Sequence, residues 1–382
     1  MKKLLSFISV FALFIACLNF TDLAYAEDDF SSRAVYLCDA GSGSVILSKN
    51  EDKRLTIASM CKIMTLLLVF EDVDNGQLSL DEKITVSETA SGMGGSQAFL
   101  EAGAEYSVRN LIKSVIIASA NDSCVALAEK TYGSEASFVE RMNERAKELG
   151  MNNTLFSNCT GLPRPTQYSC AKDVAIMFSN LIKHKEYFKF STVRLDEIEH
   201  PKERVTGLTN TNKLISSYSG CDGGKTGYTA ESGHCLAATA KRGSLRLISV
   251  VINAPDSKTR FNETVKMLDY GFGNFTSKLI VDSSTPLEIN AEVKGGKCES
   301  VQIIPERDYY HFGKTNEKEE YRLEFNPVQG LKAPVKAGQI VGTIKVYLNK
   351  GCVAEISCLA VNDVEKKTYF GYVYDILKNW PM

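Results

Sequence analysis

The chain has 382 residues, of which 24% are charged, and its formal net charge at pH 7 is −2. This balance argues against a nucleic-acid-binding protein and against a basic surface that coats membranes. With only four histidines, a Ser-His-Asp triad is hard to assemble, and no spacing of histidines or cysteines indicates a bound metal or another cofactor.

Residues 1–26 have the features of a secretory signal peptide. Two lysines precede an apolar stretch from Leu4 to Phe20, and Ala24-Tyr25-Ala26 forms a small-x-small cleavage site. A removed signal is favoured over a transmembrane anchor because polar residues interrupt the apolar stretch. A lipoprotein signal ending at Cys17 is a further alternative. We therefore expect an exported protein at the extracytoplasmic face of the cell membrane or in the cell wall.

The remaining chain is long enough for two domains. Residues 27–279 alternate short strands with amphipathic helices, the pattern of a layered α+β domain. The predicted elements, in chain order, are a hairpin of strands 34–38 and 45–47, a buried helix from Ser59, a helix capped by Ser107, a helix from Ser134 to Gly150, strands 235–240 and 247–251, and a last helix that ends near Gly271.

The 11 cysteines would suggest disulfides in an exported protein. They are scattered without a tight spacing pattern, and Cys61, Cys124 and Cys235 fall inside apolar segments. A cysteine in such a segment commonly behaves as a small hydrophobic residue. We therefore expect mostly free, buried thiols.

From about residue 280 the pattern changes to apolar and polar residues in alternation, so residues 280–368 predict a small all-β domain. This domain contains no constellation of catalytic residues, and we interpret it as a spacer or docking module. In the tail, residues 369–382, five apolar residues form one helical stripe: Phe370, Val373, Tyr374, Leu377 and Trp380. Two interpretations stay open, packing on the β domain and weak contact with a membrane surface.

Ser59-Met60-Cys61-Lys62 supplies a nucleophile and an amine that can activate it. Residues three positions apart share a face of a helix, so the amine of Lys62 is expected near the hydroxyl of Ser59. Burial and the positive end of the helix dipole both disfavour the ammonium form, which leaves an amine able to act as a base. A second copy, from Ser169 to Lys172, is interpreted as a polar loop entering a helix, because no Ser-x-Asn follows it before Lys225.

Two further motifs follow in order. Ser119-Ala120-Asn121 lies between two predicted helices, where the serine can relay a proton and the asparagine can bind a peptide carbonyl. Lys225-Thr226-Gly227 precedes a predicted strand; its ammonium and hydroxyl suit a substrate carboxylate, and its glycine permits close approach of the substrate backbone. The alternatives are helix capping for the first motif and a solvated turn for the second. The ordered trio favours acyl transfer through a serine.

The three motif segments, residues 58–65, 118–122 and 222–229, resemble the signatures of the serine-type D-alanyl-D-alanine carboxypeptidases, low-molecular-mass penicillin-binding proteins of peptidase family S11. The resemblance extends to residues 95–100 and 149–154 and to the β domain. It implies a β-lactamase/transpeptidase-like domain, with an antiparallel sheet and a helical subdomain, followed by the family's small all-β domain. It also implies removal of the terminal D-alanine from peptidoglycan pentapeptide stems and inhibition by β-lactams.

The resemblance implies a role for each motif residue. The implied catalytic residues are Ser59, Lys62 and Ser119, and the implied substrate-binding residues are Asn121, Lys225, Thr226, Gly227, Tyr228 and Arg260. Backbone N–H groups of Ser59 and Tyr228 are expected to form an oxyanion hole, and Arg260 to assist at the substrate carboxylate; an exposed residue at a helix start is the alternative for Arg260. Many relatives have Thr where Cys61 stands and His where Tyr228 stands, and the backbone roles survive both changes.

Three other functions were weighed against this one. A serine β-lactamase has similar motifs and uses a glutamate for deacylation, which Glu148 superficially offers. We expect Glu148 to lie on a solvated helix face instead. A DD-endopeptidase that cuts cross-links has the same chemistry. A non-catalytic wall-binding or penicillin-sensing protein would have a broken motif, whereas all three motifs here are intact.

Overall fold

The computed structural model describes residues 29–349 and 351–378. The predicted signal peptide, residues 1–26, lies outside the described residues. Within the described ranges, no helix is long and apolar enough to cross a membrane. A domain of mixed helices and strands is followed by an all-β domain, which confirms the predicted fold class.

The first domain contains nine strands and nine α-helices among its described residues. The strands are β1 (Ala34–Asp39), β2 (Val45–Lys49), β3 (Lys83–Thr85), β4 (Glu105–Ser107), β5 (Leu195–Glu199), β6 (Val205–Thr209), β7 (Cys221–Thr229), β8 (Gly233–Arg242) and β9 (Leu245–Ala254). The helices are α1 (Lys62–Asp74), α2 (Glu88–Ser91), α3 (Val108–Ala118), α4 (Asn121–Tyr132), α5 (Glu135–Glu148), α6 (Ala171–Leu181), α7 (Tyr187–Ser191), α8 (Leu214–Ser217) and α9 (Ser257–Asn274).

A five-stranded antiparallel sheet, in the order β2-β1-β9-β8-β7, separates two hydrophobic cores. Successive side chains of a strand point to opposite faces. In β1, Ala34 and Tyr36 therefore enter the larger core, which the helical subdomain completes, while Val35 and Leu37 enter the smaller core under α9. Because the sheet is covered on both faces, its edge strand β7 is held firmly beside the helices.

Helices α1, α3 and α4 meet beside the edge of this sheet and carry the first two motifs. The apolar residues of α1 from Ile63 to Phe70 are all buried, as the sequence predicted for this segment. Ser107 caps α3 by accepting a hydrogen bond from the N–H of Asn110, and Ser134 caps α5 in the same way from Ser137. Both predicted helix starts are confirmed.

Two sequence predictions about element boundaries were wrong. Lys225-Thr226-Gly227 does not precede a strand but lies inside β7, paired with β8. Glycines are depleted in strands, and this segment contains three, so its strand character was hidden. The last helix also continues past Gly271 to Asn274. A Cβ at Gly271 would lie 2.5 Å from Leu247 Cδ1, so this glycine permits close packing on the sheet and does not end the helix.

The second domain contains only strands and a terminal helix in its described residues. Its elements are β10 (Phe275–Val281), β11 (Asn290–Glu292), β12 (Ser300–Pro305), β13 (Tyr309–Lys314), β14 (Tyr321–Pro327), β15 (Ile340–Leu348), β16 (Gly351–Ala360) and α10 (Tyr369–Lys378). Strands β11-β12-β16-β15-β14 form one sheet around an apolar core, and β10 pairs with β13. Because β10 spans the predicted boundary between residues 279 and 280, the domain division stays a prediction.

The ten cysteines within the described residues are all unpaired. Eight of them are buried, and only Cys298 and Cys352 are exposed. Burial disfavours the thiolate and raises the pKa of the Cys38 thiol to about 12 and that of Cys124 to about 11. The eight buried cysteines act as small hydrophobic residues, as predicted.

Candidate active site

Ser59 lies on a short 3-10 turn, Ala58–Cys61, that leads directly into α1. The turn brings the amine of the first residue of α1 back over the serine, and Lys62 Nζ lies 3.1 Å from Ser59 Oγ. Ser59 is half-buried, whereas Lys62 is fully buried. The sequence predicted this proximity from a helical face, and the structure achieves it with a tighter turn.

The buried amine of Lys62 contacts two further oxygens. Lys62 Nζ lies 2.6 Å from Asn121 Oδ1 and also bonds to the carbonyl oxygen of Thr160. None of the ion pairs among the described residues includes Lys62. The amine is therefore held by two carbonyl-type oxygens while it stays within hydrogen-bond distance of the Ser59 hydroxyl.

Ser119 lies in the break between α3 and α4, where the sequence placed it, and Asn121 is the first residue of α4. Ser119 has a left-handed backbone conformation, with φ of 64°, which turns its side chain away from the helix axis. Neither residue caps a helix through its side chain, because the residue at the cap position of α4 is Ala120. Asn121 instead donates from Nδ2 to the carbonyl oxygen of Gly94 at 2.7 Å. N-capping by either side chain is therefore excluded, although Ser119 ends α3 as its C-cap residue.

Lys225 and Thr226 line the same space from strand β7. Lys225 is buried, and its Nζ donates to Ser119 Oγ at 2.8 Å and to the carbonyl oxygen of Thr226 at 3.0 Å. Burial, followed by repulsion from the nearby Lys62, holds the pKa of Lys225 well below its usual range. Thr226 Oγ1 donates to Thr211 Oγ1 at 2.8 Å. The solvated-turn alternative is excluded, since both side chains are buried within a strand.

Two glycines allow the chain to press against the turn that carries Ser59. A Cβ at Gly227 would lie 2.8 Å from the carbonyl oxygen of Ile57 and 3.1 Å from the N–H nitrogen of Ser59. A Cβ at Gly161 would lie 2.0 Å from the carbonyl oxygen of Ala58. Gly161 and Thr160 were not predicted as site residues, although the run Asn158-Cys159-Thr160-Gly161 has the composition of a turn.

Tyr228 and Arg260 flank the outer part of the site. Tyr228 is 61% exposed, and its ring lies 4.4 Å from that of His234. Arg260 is buried, contrary to the alternative of an exposed helix-start residue. Its Nη1 donates to the carbonyl oxygens of Gly227 and Cys235, at 3.4 and 3.2 Å, while its Nε has no hydrogen-bond partner among the described residues. Through these two bonds Arg260 links β7 to β8. Burial lowers the pKa of Arg260.

Glu148 does not reach the site. It lies on the outer surface of α5, where Arg141 and Arg145 bond to its carboxylate at 2.6 and 2.8 Å. These two arginines lower the pKa of Glu148 to about 2. The prediction that Glu148 lies on a solvated helix face is confirmed. Glu148 therefore does not support the interpretation of the protein as a β-lactamase, which would need a glutamate at the site.

The second Ser-x-x-Lys segment lies away from this site. Ser169 Oγ is hydrogen-bonded to Thr154 Oγ1 at 2.8 Å, and Lys172, which is half-exposed, lies 3.7 Å from Asp52. No hydrogen bond among the described residues joins this serine to this lysine. The segment is a loop entering α6, as interpreted from the sequence.

A helix-flanked antiparallel sheet with a Ser-Lys pair, a Ser-x-Asn turn and a Lys-Thr-Gly strand around one space defines the class of penicillin-recognising serine enzymes. Residues 21–256 match the family model described as D-alanyl-D-alanine carboxypeptidase, peptidase S11. Residues 275–366 match the model of the penicillin-binding protein 5 C-terminal domain. The chain belongs to the D-alanyl-D-alanine carboxypeptidase family, which confirms the resemblance inferred from the motifs.

Curated relatives and solved structures agree with this assignment. D-alanyl-D-alanine carboxypeptidase DacF of Bacillus subtilis (strain 168) is 36% identical, over 100% of this chain and 99% of the relative. DacC of Escherichia coli (strain K12) is 36% identical over 91% of this chain and 87% of its own. The crystal structure of penicillin binding protein 5 from Haemophilus influenzae has a TM-score of 0.70 at 30% identity, covering 88% of this chain and 98% of that one.

Proposed function

We propose that this protein is a serine DD-carboxypeptidase that removes the terminal D-alanine from peptidoglycan pentapeptide stems through an acyl-Ser59 intermediate. The single observation that carries the proposal is the pairing of two buried amines with two hydroxyls around one space: Lys62 with Ser59, and Lys225 with Ser119. The names of the relatives agree with this reaction. Penicillins are expected to acylate the same serine, because a strained lactam amide mimics the scissile bond.

Acylation begins at the Ser59 hydroxyl. As its oxygen forms a bond to the carbonyl carbon of the penultimate D-alanine, its proton passes to the lone pair of Lys62 Nζ. The negative charge that develops on the carbonyl oxygen is stabilised by the backbone N–H groups of Ser59 and Tyr228, which we assign to the oxyanion hole. Asn121, already fixed through Gly94, is in place to bind a peptide carbonyl of the stem.

Collapse of this intermediate breaks the bond between carbon and nitrogen. The leaving amine needs a proton, and we assign its delivery to Ser119, whose oxygen accepts a hydrogen bond from Lys225. Ser119 regains a proton from the ammonium of Lys62, so the proton that Ser59 gave up ends on the leaving amine and Lys62 is again a neutral base. A water then attacks the ester carbon as Lys62 takes its proton, and Lys62 passes that proton to the departing Ser59 oxygen, which releases the shortened stem and restores the serine hydroxyl.

The substrate carboxylate is assigned to the space next to Lys225 and Thr226. Lys225 and Arg260 lie around this part of the site, and no ion pair among the described residues includes either of them. Buried cations without counter-ions favour an anionic ligand, because the ligand then supplies the charge that the protein lacks. Arg260 acts on this carboxylate indirectly, by holding the carbonyl of Gly227.

The intact mass of residues 27–382 after addition of excess benzylpenicillin tests this function. The expected result is a long-lived adduct that peptide mapping assigns to Ser59, together with release of D-alanine from a pentapeptide. An adduct that disappears while the drug is destroyed would indicate a β-lactamase. Absence of any adduct would overturn the proposal in favour of a non-catalytic wall-binding protein.

The lowered pKa of Lys225 predicts an alkaline limit on activity. Below its pKa the ammonium can hold the substrate carboxylate, and above its pKa that charge is lost. We therefore expect kcat/KM for a carboxylate-bearing peptide to fall as pH rises, beginning well below the ordinary lysine pKa of about 10.4. A Lys225→Arg variant keeps its charge, so its alkaline limb should shift upward whatever its absolute rate. An identical limb in both proteins would contradict this assignment.

We also propose export to the extracytoplasmic side and a weak contact of the tail with the membrane surface. Tyr369 and Phe370 at the start of α10 are 78% and 82% exposed, as expected for side chains that enter an interface. Trp380, which completes the predicted stripe, lies outside the described residues. Co-sedimentation of the protein with phospholipid vesicles tests the contact; equal sedimentation of a Phe370→Glu variant would exclude it.

A further inference from the structure

The outer edge of β7 is covered along its first half by side chains and not by a strand. Because β7 ends the five-stranded sheet, this edge has no partner strand among the described residues. The backbone N–H of Gly224 donates instead to the hydroxyl oxygen of Tyr187 at 3.0 Å, and the hydroxyl of Ser191 donates to the carbonyl oxygen of Asp222 at 2.5 Å. Tyr187 and Ser191 are four residues apart in α7 and so share one face of that helix. This face of α7 satisfies backbone groups that a neighbouring strand would otherwise bind.

The second half of the same edge is the half that the proposed reaction uses. In an antiparallel pair, every second residue directs its backbone groups away from the partner strand. The N–H of Gly224 points away from β8, and the N–H groups of Thr226 and Tyr228 therefore point the same way. These two residues are assigned above to the substrate carboxylate and to the oxyanion hole. A displacement of Gly224 would consequently move both of these binding groups.

The segment that Tyr187 binds has little stiffness of its own. Asp222-Gly223-Gly224 directly precedes Lys225, and glycine has more backbone freedom than any other residue. Asn212 supplies another contact here, since its Nδ2 donates to the carbonyl oxygen of Gly223 at 3.3 Å. Contacts from outside the sheet are therefore needed to fix the position of Lys225.

Tyr187 is itself held firmly below this segment. Its side chain is fully buried, and its ring packs edge-on against Phe70 of α1, with 6.3 Å between the ring centroids. A Cβ at Gly223 would lie 2.9 Å from Tyr187 Cε1, so the absence of a side chain at this position leaves room for the ring. Tyr187 thereby connects α1, which begins with Lys62, to β7, which carries Lys225.

Resting on the proposed DD-carboxypeptidase function, we infer that Tyr187 is a positioning residue for the carboxylate end of the substrate. Through the N–H of Gly224 it fixes β7 where Lys225 Nζ reaches both Ser119 Oγ and the space assigned to the substrate carboxylate. Because Tyr187 is buried, it acts through the strand and not on the substrate itself. Loss of its hydroxyl therefore weakens recognition of a C-terminal carboxylate more than it slows the chemistry at Ser59.

Two pentapeptides test the inference, one that ends in D-alanyl-D-alanine and one whose terminal carboxylate is replaced by an amide. We expect the unaltered protein to cleave the carboxylate peptide with the higher kcat/KM. Tyr187→Phe removes one oxygen, keeps the ring and leaves the N–H of Gly224 without its acceptor. The ratio of the two kcat/KM values should then fall about tenfold, as for one buried hydrogen bond that is lost. The fall should come from a higher KM for the carboxylate peptide, with little change in kcat.

Tyr218→Phe is the matched control. The hydroxyl of Tyr218 donates to Asp269 of α9 at 2.7 Å, so this change also removes a bonded tyrosine hydroxyl, but one that does not bind β7. Its melting temperature should fall, as in Tyr187→Phe, while its ratio stays that of the unaltered protein. Ser191→Ala removes the second hydroxyl on the β7 edge and should lower the ratio in the same direction; it decides the question if Tyr187→Phe does not fold.

The outcomes separate this inference from the proposed function. An unchanged ratio in Tyr187→Phe and Ser191→Ala, with D-alanine still released, would overturn the inference alone. Equal kcat/KM for the two peptides in the unaltered protein would overturn the assignment of the carboxylate to Lys225, and the inference with it. No release from either peptide by the unaltered protein would overturn the proposed function as well.

Discussion

Replacement of Lys62 by methionine is expected to slow acylation of Ser59 by benzylpenicillin roughly 10²- to 10⁴-fold, the usual contribution of a general base. Methionine approximates the volume of the buried lysine stem, so no large cavity opens beside α1. The loss of rate then reports the missing amine. Stopped-flow or quenched-mass measurement of the acylation rate, together with thermal unfolding, separates the chemical effect from a folding effect.

A Lys62→Arg variant tests whether a positive charge alone can replace the amine. Arginine places a positive charge near Asn121 and Thr160, but it does not give up its proton in proteins. If Lys62 acts as the base, the guanidinium is no substitute for the amine, and acylation should be as slow in Lys62→Arg as in Lys62→Met.

The second Ser-x-x-Lys supplies the matched control for both variants. Lys172→Met changes the same residue type at the same motif position, but its amine lies near Asp52 and not near a serine hydroxyl. Its acylation rate should equal that of the unaltered protein. Acylation that proceeds at the normal rate in Lys62→Met would remove Lys62 from the role of base.

Replacement of Gly161 by alanine is expected to be the most damaging change of a single methyl group at this site. The residue has φ of 81°, which alanine adopts only with strain, and its new Cβ would lie 2.0 Å from the carbonyl oxygen of Ala58. Strain and overlap together predict a loss of about 3 kcal/mol in the free energy of unfolding. Relief of the overlap displaces the Ser59 turn by about 1 Å, which predicts roughly 10²-fold slower acylation.

A Gly150→Ala variant separates the effect of backbone strain from the effect of steric overlap. Gly150 has a similar φ of 75°, but no atom lies within 4 Å of its Cβ position. The expected loss is only the conformational strain, about 1 kcal/mol, with an unchanged acylation rate. Denaturant unfolding and the benzylpenicillin assay measure both effects. Equal results for the two glycines would mean that the packing of Gly161 against Ala58 does not position the nucleophile.

The sequence alone indicated the family and its class of chemistry, because side-chain type carries both. A serine and a lysine three residues apart, a Ser-x-Asn break between helices and a Lys-Thr-Gly segment predict acyl transfer through Ser59, and the structure brings these residues together. The apolar pattern of α1 and the alternation after residue 280 likewise predicted the fold class, since burial requires those periodicities. The strand around Lys225 was not predicted, because its glycines are untypical of strands and it is stabilised by pairing with β8.

Only the tertiary structure decided what holds Ser59 and Lys62 in place. The carbonyl oxygen that binds Lys62 comes from Thr160, which is 98 residues away in the chain, and every residue type has such an oxygen. The left-handed turn at Ser119 and the approach of Gly161 to Ala58 also depend on backbone atoms brought together by folding. The sequence determines the chemical type of each side chain, whereas backbone contacts between distant segments form only when the chain folds and packs.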